Sequence, residues 1–148
     1  MTDSNIKIVC YNPKYAKQTV QMWRDSKEKA IGQKEKHSFE NHIYFLNHLL
    51  LKDYKIELAL TREQVVGFVA FSDHEISQLY VHVDYQGKGI GLALLNKAKE
   101  SSSGRLILHT FEINLAAQLF YERNGFKIIS RGHENEENLP DIKYEWKK

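Results

Sequence analysis

The run Leu79-Tyr80-Val81-His82-Val83-Asp84-Tyr85-Gln86-Gly87-Lys88-Gly89-Ile90-Gly91-Leu92-Ala93-Leu94-Leu95 constrains this chain more than any other stretch. Leu79 to Val83 is rich in β-branched and aromatic residues, as a strand buried on both faces is. Gly87, Gly89 and Gly91 make a turn. Ile90, Leu94 and Ala98 then stand four apart, the apolar stripe of a helix. The first turn of a helix has N–H groups without intrahelical partners, and the macrodipole adds partial positive charge there. Glycines let backbone approach a bulky phosphate closely, and Lys88 supplies a mobile cation beside those amides. The turn therefore asks for a phosphate-bearing ligand.

Spacing narrows the choice. A Walker-type loop needs Lys followed by Ser or Thr to hold Mg²⁺, whereas Lys88 is followed by Gly89. The dinucleotide fingerprint needs a wider glycine spacing and a later acidic residue, but these glycines are evenly spaced by two. Gln86-x-x-Gly89-x-Gly91 resembles the coenzyme A pyrophosphate loop of the GNAT acetyltransferases.

The rest of the chain supplies the surroundings. Ile6 to Cys10 reads as a strand, and Pro13 opens a helix running through Tyr15, Thr19, Met22 and Trp23 to about Arg24. Residues 26–38, with Lys27, Lys29, Lys34 and Lys36, read as a loop or frayed helix. Phe39 to Leu51 is helical, with Ile43, Leu46 and Leu50 on one stripe. Ile56 to Thr61, Val65 to Phe71 and Glu75 to Val83 form a meander. After the glycine turn and its helix, Ser101 to Gly104 is a stop signal, and Arg105 to Phe111 is a strand. Asn114 caps a helix closed by Gly125, and Phe126 to Arg131 and Ile142 to Trp146 are the last two strands. This order predicts an α/β fold with a central mixed, mostly antiparallel sheet flanked by helices, in one domain over residues 1–148.

The second segment of resemblance is Asn114-x6-Tyr121-x3-Gly125-Phe126, which matches the other hallmark of the GNAT family. Two motifs in the right order extend the resemblance over nearly the whole chain; one departure is Val83, where many members have proline. The resemblance implies the GNAT fold and an N-acetyltransferase that moves acetyl from acetyl-CoA to a primary amine by direct attack, with no metal. It implies pairing of the acyl and pantetheine groups with Leu79, Tyr80 and Val81. The pyrophosphate is expected on the amides of Gly87, Lys88, Gly89, Ile90, Gly91 and Leu92, with the Lys88 ammonium nearby. Asn114 and Tyr121, seven residues apart, share one helix face. In the family the asparagine contacts the pantetheine arm, and the tyrosine, as general acid, protonates the departing thiolate. Asn114 also reads as a simple cap, and Tyr121 as a core aromatic.

The amine must shed a proton before it attacks, so a base is useful. His109, close before Asn114, is the leading candidate; Glu112, His82, Glu75 and His37 are alternatives, each also readable as a structural or surface residue. The seven histidines show no zinc-ligand spacing. The single cysteine, Cys10, excludes an intramolecular disulfide and reads as a buried structural thiol rather than an acyl carrier. The acceptor, a small-molecule or peptide amine, is expected between the segment 23–44 and the acidic loop of Glu134, Glu136, Glu137 and Asp141. An acidic rim favours a cationic amine, and Trp23, Phe39, Tyr44 and Phe71 are aromatics for a pocket or for the core.

A net charge of +2 gives no ground for nucleic-acid or membrane binding. The polar start, Met1 to Asn5, lacks a signal-peptide pattern, and no apolar run approaches the ~18 residues of a span. A cytoplasmic enzyme is expected; pairing with a second copy is left open. The rival reading is a GNAT-fold acyl-CoA sensor that binds without turnover, against which the retained Tyr121 argues.

Overall fold

In the computed structural model, which describes residues 5–148, four strands make an antiparallel sheet in the order β1-β2-β3-β4. They are β1 (Ile6–Cys10), β2 (Lys55–Thr61), β3 (Gln64–Phe71) and β4 (Ile76–Val81). The first four residues of the polar start lie outside the described residues. β2 and β3 read as nearly unbroken apolar runs because helices cover both of their faces. On one face Leu58, Leu60, Phe68 and Ala70 pack with Val20, Trp23, Leu46 and Leu50. On the other, Ala59, Val66 and Val69 pack with Ile90, Leu94, Leu95 and Ala98. The β2–β3 turn is two residues long, with positive φ at Arg62 (49°) and Glu63 (68°), so the hairpin bends with the natural twist of its strands. The Tyr15 hydroxyl holds this turn by donating to the Glu63 carboxylate at 2.6 Å.

The remaining strands form a second sheet in the order β5-β7-β6: β5 (Arg105–Phe111), β6 (Lys127–Gly132) and β7 (Asp141–Lys147). The expected central sheet is thus two sheets. A parallel bridge between Glu75 and Ile107 is the strand pairing that joins them among the described residues, with Ile107 N–H donating to His74 O at 3.0 Å. Leu106, Leu108, Ile142 and Tyr144 face the core cluster that contains α4 (Ile90–Ser101) and Tyr121.

Helix α1 (Ala16–Ile31) runs a full two turns beyond the Arg24 end expected from sequence, to a Gly32 cap at φ 71°. Ser26 and Ile31 are buried, and Lys27 is held by Glu35 and by the sequence-distant Glu137, so this polar stretch has a partner that local composition does not reveal. Helix α2 (Phe39–Tyr44) leads into a π-helical segment, Phe45–Leu50, and a last turn, α3 (Leu51–Asp53). The π segment keeps Leu46 and Leu50 buried while leaving Phe45 and Leu49 exposed. Cys10 is exposed, correcting the expectation of a buried thiol; it ends β1, an edge strand. Among the described residues no helix is long and apolar enough to cross a membrane.

Candidate functional site

β4 ends in a short 3₁₀ turn, Val83–Tyr85, and the chain reaches α4 through Gly87 (φ 77°) and Gly89 (φ 85°). Gly89 occupies the N-cap position with no side-chain cap, and the first helical bond is Ala93 N–H to Gly89 O at 3.1 Å. The amides of Ile90, Gly91 and Leu92 are therefore the unpaired donors of the first turn. Lys88 stands outside the cleft lining, its ammonium 5.3 Å from the centre of the Tyr85 ring. The lysine that lines the cleft is Lys29, 3.5 Å from the Gln86 side-chain oxygen. Its signal in the sequence was the continuation of α1.

The edge of β4 can be read from its hydrogen bonds. His82 N–H donates to Val66 O at 2.8 Å, and antiparallel pairing alternates. Tyr80 accordingly turns its backbone groups toward Phe68 on β3, while Leu79 and Val81 turn theirs toward the gap before β5. The Val81 carbonyl already accepts from Ser26 Oγ at 3.0 Å and Gln86 Nε2 at 3.1 Å. Both Leu79 backbone groups and the Val81 N–H remain for an extended ligand. Tyr80 contributes its side chain, whose hydroxyl burial pushes well above the ordinary phenol range.

Helix α5 (Leu115–Arg123) flanks the gap. Asn114 Oδ1 accepts from Ala117 N–H at 3.1 Å, so Asn114 is a cap. Its Nδ2 has no partner among the described residues. Tyr121 is 7% exposed and packs its ring against Phe120, Phe126 and Tyr144. Its hydroxyl makes no hydrogen bond among the described residues. Burial holds this phenol protonated, far above its ordinary range.

Two cavities meet here. The first, about 610 Å³, is lined by Leu79 to Val81, the glycine turn and the start of α5. The second, about 880 Å³, lies between the segment 23–49, β4, β5 and the acidic loop. Leu79, Tyr80, Asn114, Ala117 and Tyr121 line both. Volume, glycine-opened amides and the Leu79 edge suit the first to a phosphorylated, pantetheine-like arm.

The second cavity carries most of the titratable groups. Lys27 Nζ sits between Glu137 (2.6 Å) and Glu35 (3.5 Å). Burial opposes the Glu35 charge, but Lys27, the His37 amide and the nearby histidines hold its carboxyl below the ordinary range. Lys36 Nζ donates to Glu136 O at 2.9 Å, and the His37 ring lies 3.0 Å from the Glu136 carboxylate. The basic segment and the acidic loop are thus tied to each other across the cavity mouth. His42, 6% exposed, lies 4.3 Å from the Trp23 ring. Burial, aided by Arg24, Lys27 and His37 and opposed by Glu35, lowers its pKa to about 4. Arg24 Nη1, which can only donate, is 3.4 Å from His42 Nδ1, so the neutral ring carries its proton on Nε2.

Of the sequence-derived base candidates, His109 and His37 line this cavity. His109 is exposed, on the side of β5 away from Leu106 and Leu108, the residues that pack with Tyr121. Glu75 accepts from the Tyr54 hydroxyl at 2.6 Å, Glu112 pairs with Arg131 at 3.4 Å, and His82 accepts from Asp84 N–H at 3.1 Å; these three lie outside both linings. Trp23 and Tyr44 line the cavity, while Phe71 is core. Sequence reasoning missed Glu35 and His42, whose place here depends on the tertiary fold. Among the described residues no group of three or more His, Cys, Asp or Glu is arranged to hold a metal ion.

Comparison with known proteins gives the architecture relatives. The uncharacterised N-acetyltransferase YafP of Escherichia coli is 30% identical over 77 residues, 52% of this chain and 49% of YafP. The peptidyl-lysine N-acetyltransferase YjaB of the same organism is 32% identical over 79 residues, 53% of each chain. The chain spans about half the length of the curated relatives it matches. The solution structure of apo YjaB superposes over 95% of this chain and 97% of that one, with TM-score 0.77 and 21% identity. The PaiA N-acetyltransferase from Thermoplasma acidophilum, solved in complex with coenzyme A, covers 97% of this chain and 99% of its own, with TM-score 0.74 and 20% identity. The acetyltransferase (GNAT) domain model matches residues 52–128, from the end of the α2–α3 segment through the glycine turn and α5 into β6. With more than half of its length matched by that model, the chain belongs to the GNAT acetyltransferase family.

Proposed function

We propose that this chain transfers an acetyl group from acetyl-CoA to a primary amine by direct attack. The observation that carries the reading is the meeting of the two cavities at Leu79, Tyr80, Asn114, Ala117 and Tyr121. The first holds the coenzyme: the amides of Gly87 to Leu92 take the pyrophosphate, Lys29 and Lys88 add positive charge, and the backbone of Leu79 and Val81 aligns the pantetheine arm. Asn114 Nδ2 donates to that arm while Oδ1 keeps its capping bond. A coenzyme A complex of PaiA and the lysine acceptor in YjaB's name support the choice of donor and of an amine.

The acceptor enters from the second cavity. Its nitrogen attacks the thioester carbonyl carbon, forming the C–N bond as the C–S bond breaks. The Tyr121 hydroxyl gives its proton to the departing sulfur, and burial keeps that hydroxyl protonated until needed. An alkylammonium with pKa of about 10.4 is neutral in roughly one molecule in two thousand at pH 7, so the amine's proton needs a destination. His109, which lines the second cavity, receives it through water, and His37, held by the Glu136 carboxylate, is the other base candidate in that lining. A fall in turnover with unchanged coenzyme A affinity in His109→Gln or His37→Gln identifies which one acts.

The test is thiol release from acetyl-CoA with a panel of amines. Amine-dependent release supports the transferase reading. Tight coenzyme A binding with no release for any amine supports an acyl-CoA sensor instead.

A further inference from the structure

We infer that the acceptor carries a second positive charge, apart from the amine that is acetylated; this rests on the transferase reading and deepens it. The acceptor cavity is lined by five carboxylates, Glu35, Glu134, Glu136, Glu137 and Asp141, and by one lysine. That lysine, Lys27, is committed to Glu35 and Glu137. The Glu136 carboxylate meets the His37 ring, with the Lys36 ammonium on the Glu136 backbone oxygen; Asp141 accepts from Asn135, and the Glu134 carboxylate has no partner among the described residues. The cavity therefore keeps a surplus of negative charge.

The reacting nitrogen cannot be what answers it. Attack requires a neutral amine, and a carboxylate beside an ammonium favours the charged form. The attack point is marked independently by Tyr121, a nine-tenths-buried side chain with an unpartnered hydroxyl, which lines both cavities. The carboxylates come mostly from another wall, the loop leading into β7. The same cavity is lined by the exposed apolar side chains of Tyr44, Phe45 and Leu49, suited to a methylene chain. One acceptor satisfies all three features: an amine at the Tyr121 end, an aliphatic spacer, and a cation against Glu134 and Glu136.

A diamine and a lysine flanked by a basic residue share this chemistry, and the experiment separates them. Hexylamine and the diamine of the same chain length are compared for thiol release and, by calorimetry, for binding to the protein saturated with coenzyme A. Lysine peptides with arginine or alanine as neighbours form a second arm. The expected result is about a tenfold preference for the second cation, the equivalent of ~1.4 kcal/mol, that fades with added salt. It falls to near unity in the Glu134→Gln, Glu136→Gln double variant. The arm with the larger ratio names the source. Equal turnover and equal binding of the mono- and dications would overturn the inference. A preference in binding without turnover of any amine would overturn the transferase reading, and the acceptor role with it, while showing that the carboxylates bind a dication.

Discussion

Acidification should destabilise the fold through His42 before the carboxylates titrate. Its ring is buried against Trp23 in the wall of the second cavity, and its pKa falls from 6.5 to about 4. Burial is the largest cause; Arg24, Lys27 and His37 add to it, and Glu35 opposes it. Above pH 6.5 both folded and unfolded chains carry a neutral ring, so this residue gives stability no slope. Between 6.5 and about 4 the unfolded chain binds a proton that the folded chain refuses, so stability drops as pH falls. The full difference amounts to about 3 kcal/mol, of which roughly 2 kcal/mol is lost by pH 5. Glu35 and Glu145, both held below the ordinary carboxylate range, lose their stabilising charge only at lower pH. Urea denaturation at pH 7.5 and pH 5, on the wild type and on His42→Gln, isolates the effect. The variant should lose roughly 2 kcal/mol less than the wild type across that interval, whatever its stability at pH 7.5. Equal losses in the two proteins would refute the argument.

Two further perturbations separate the ligand sites from the scaffold. A Cβ at Gly91 would meet Phe120 at 3.5 Å and Val81 at 3.7 Å, ordinary contacts, so the helix accepts a side chain there. Gly91→Leu should therefore stay folded, gain roughly 0.8 kcal/mol of helix propensity, and lose coenzyme A affinity by about 100-fold as the side chain enters the cleft; calorimetry and a denaturation curve read both. Lys27→Met takes the cation from Glu35 and Glu137 at a largely buried site, leaving Glu35 only the His37 amide, and should cost about 3 kcal/mol and accelerate proteolysis of the loop after β6.

Where the candidate site depends on local backbone structure, that structure was legible in the sequence. A strand, three glycines and an apolar stripe specified the β4–α4 turn, and its two positive-φ glycines are Gly87 and Gly89. The seven-residue spacing put Asn114 and Tyr121 along one helix. What escaped depends on contacts distant in the chain. Lysines at 27 and 29 looked like a solvated loop because Glu137 and the Gln86 side chain, their partners, come from other elements. The break between the sheets was hidden because β4 and β5 each read as ordinary strands; what distinguishes them is a single bridge at their starts. Cys10 has an apolar strand around it, but its place at the end of an edge strand leaves it at the surface.

The most direct test of the account is Tyr121→Phe, measured for amine-dependent thiol release and for coenzyme A affinity in the same preparation. The hydroxyl has no protein partner among the described residues, so its removal should leave folding and coenzyme affinity nearly unchanged. Under the proposed role as proton donor to sulfur, its loss should lower kcat by ~100-fold. Unchanged kcat in a folded, coenzyme-binding variant would contradict the assignment and remove Tyr121 from the chemistry.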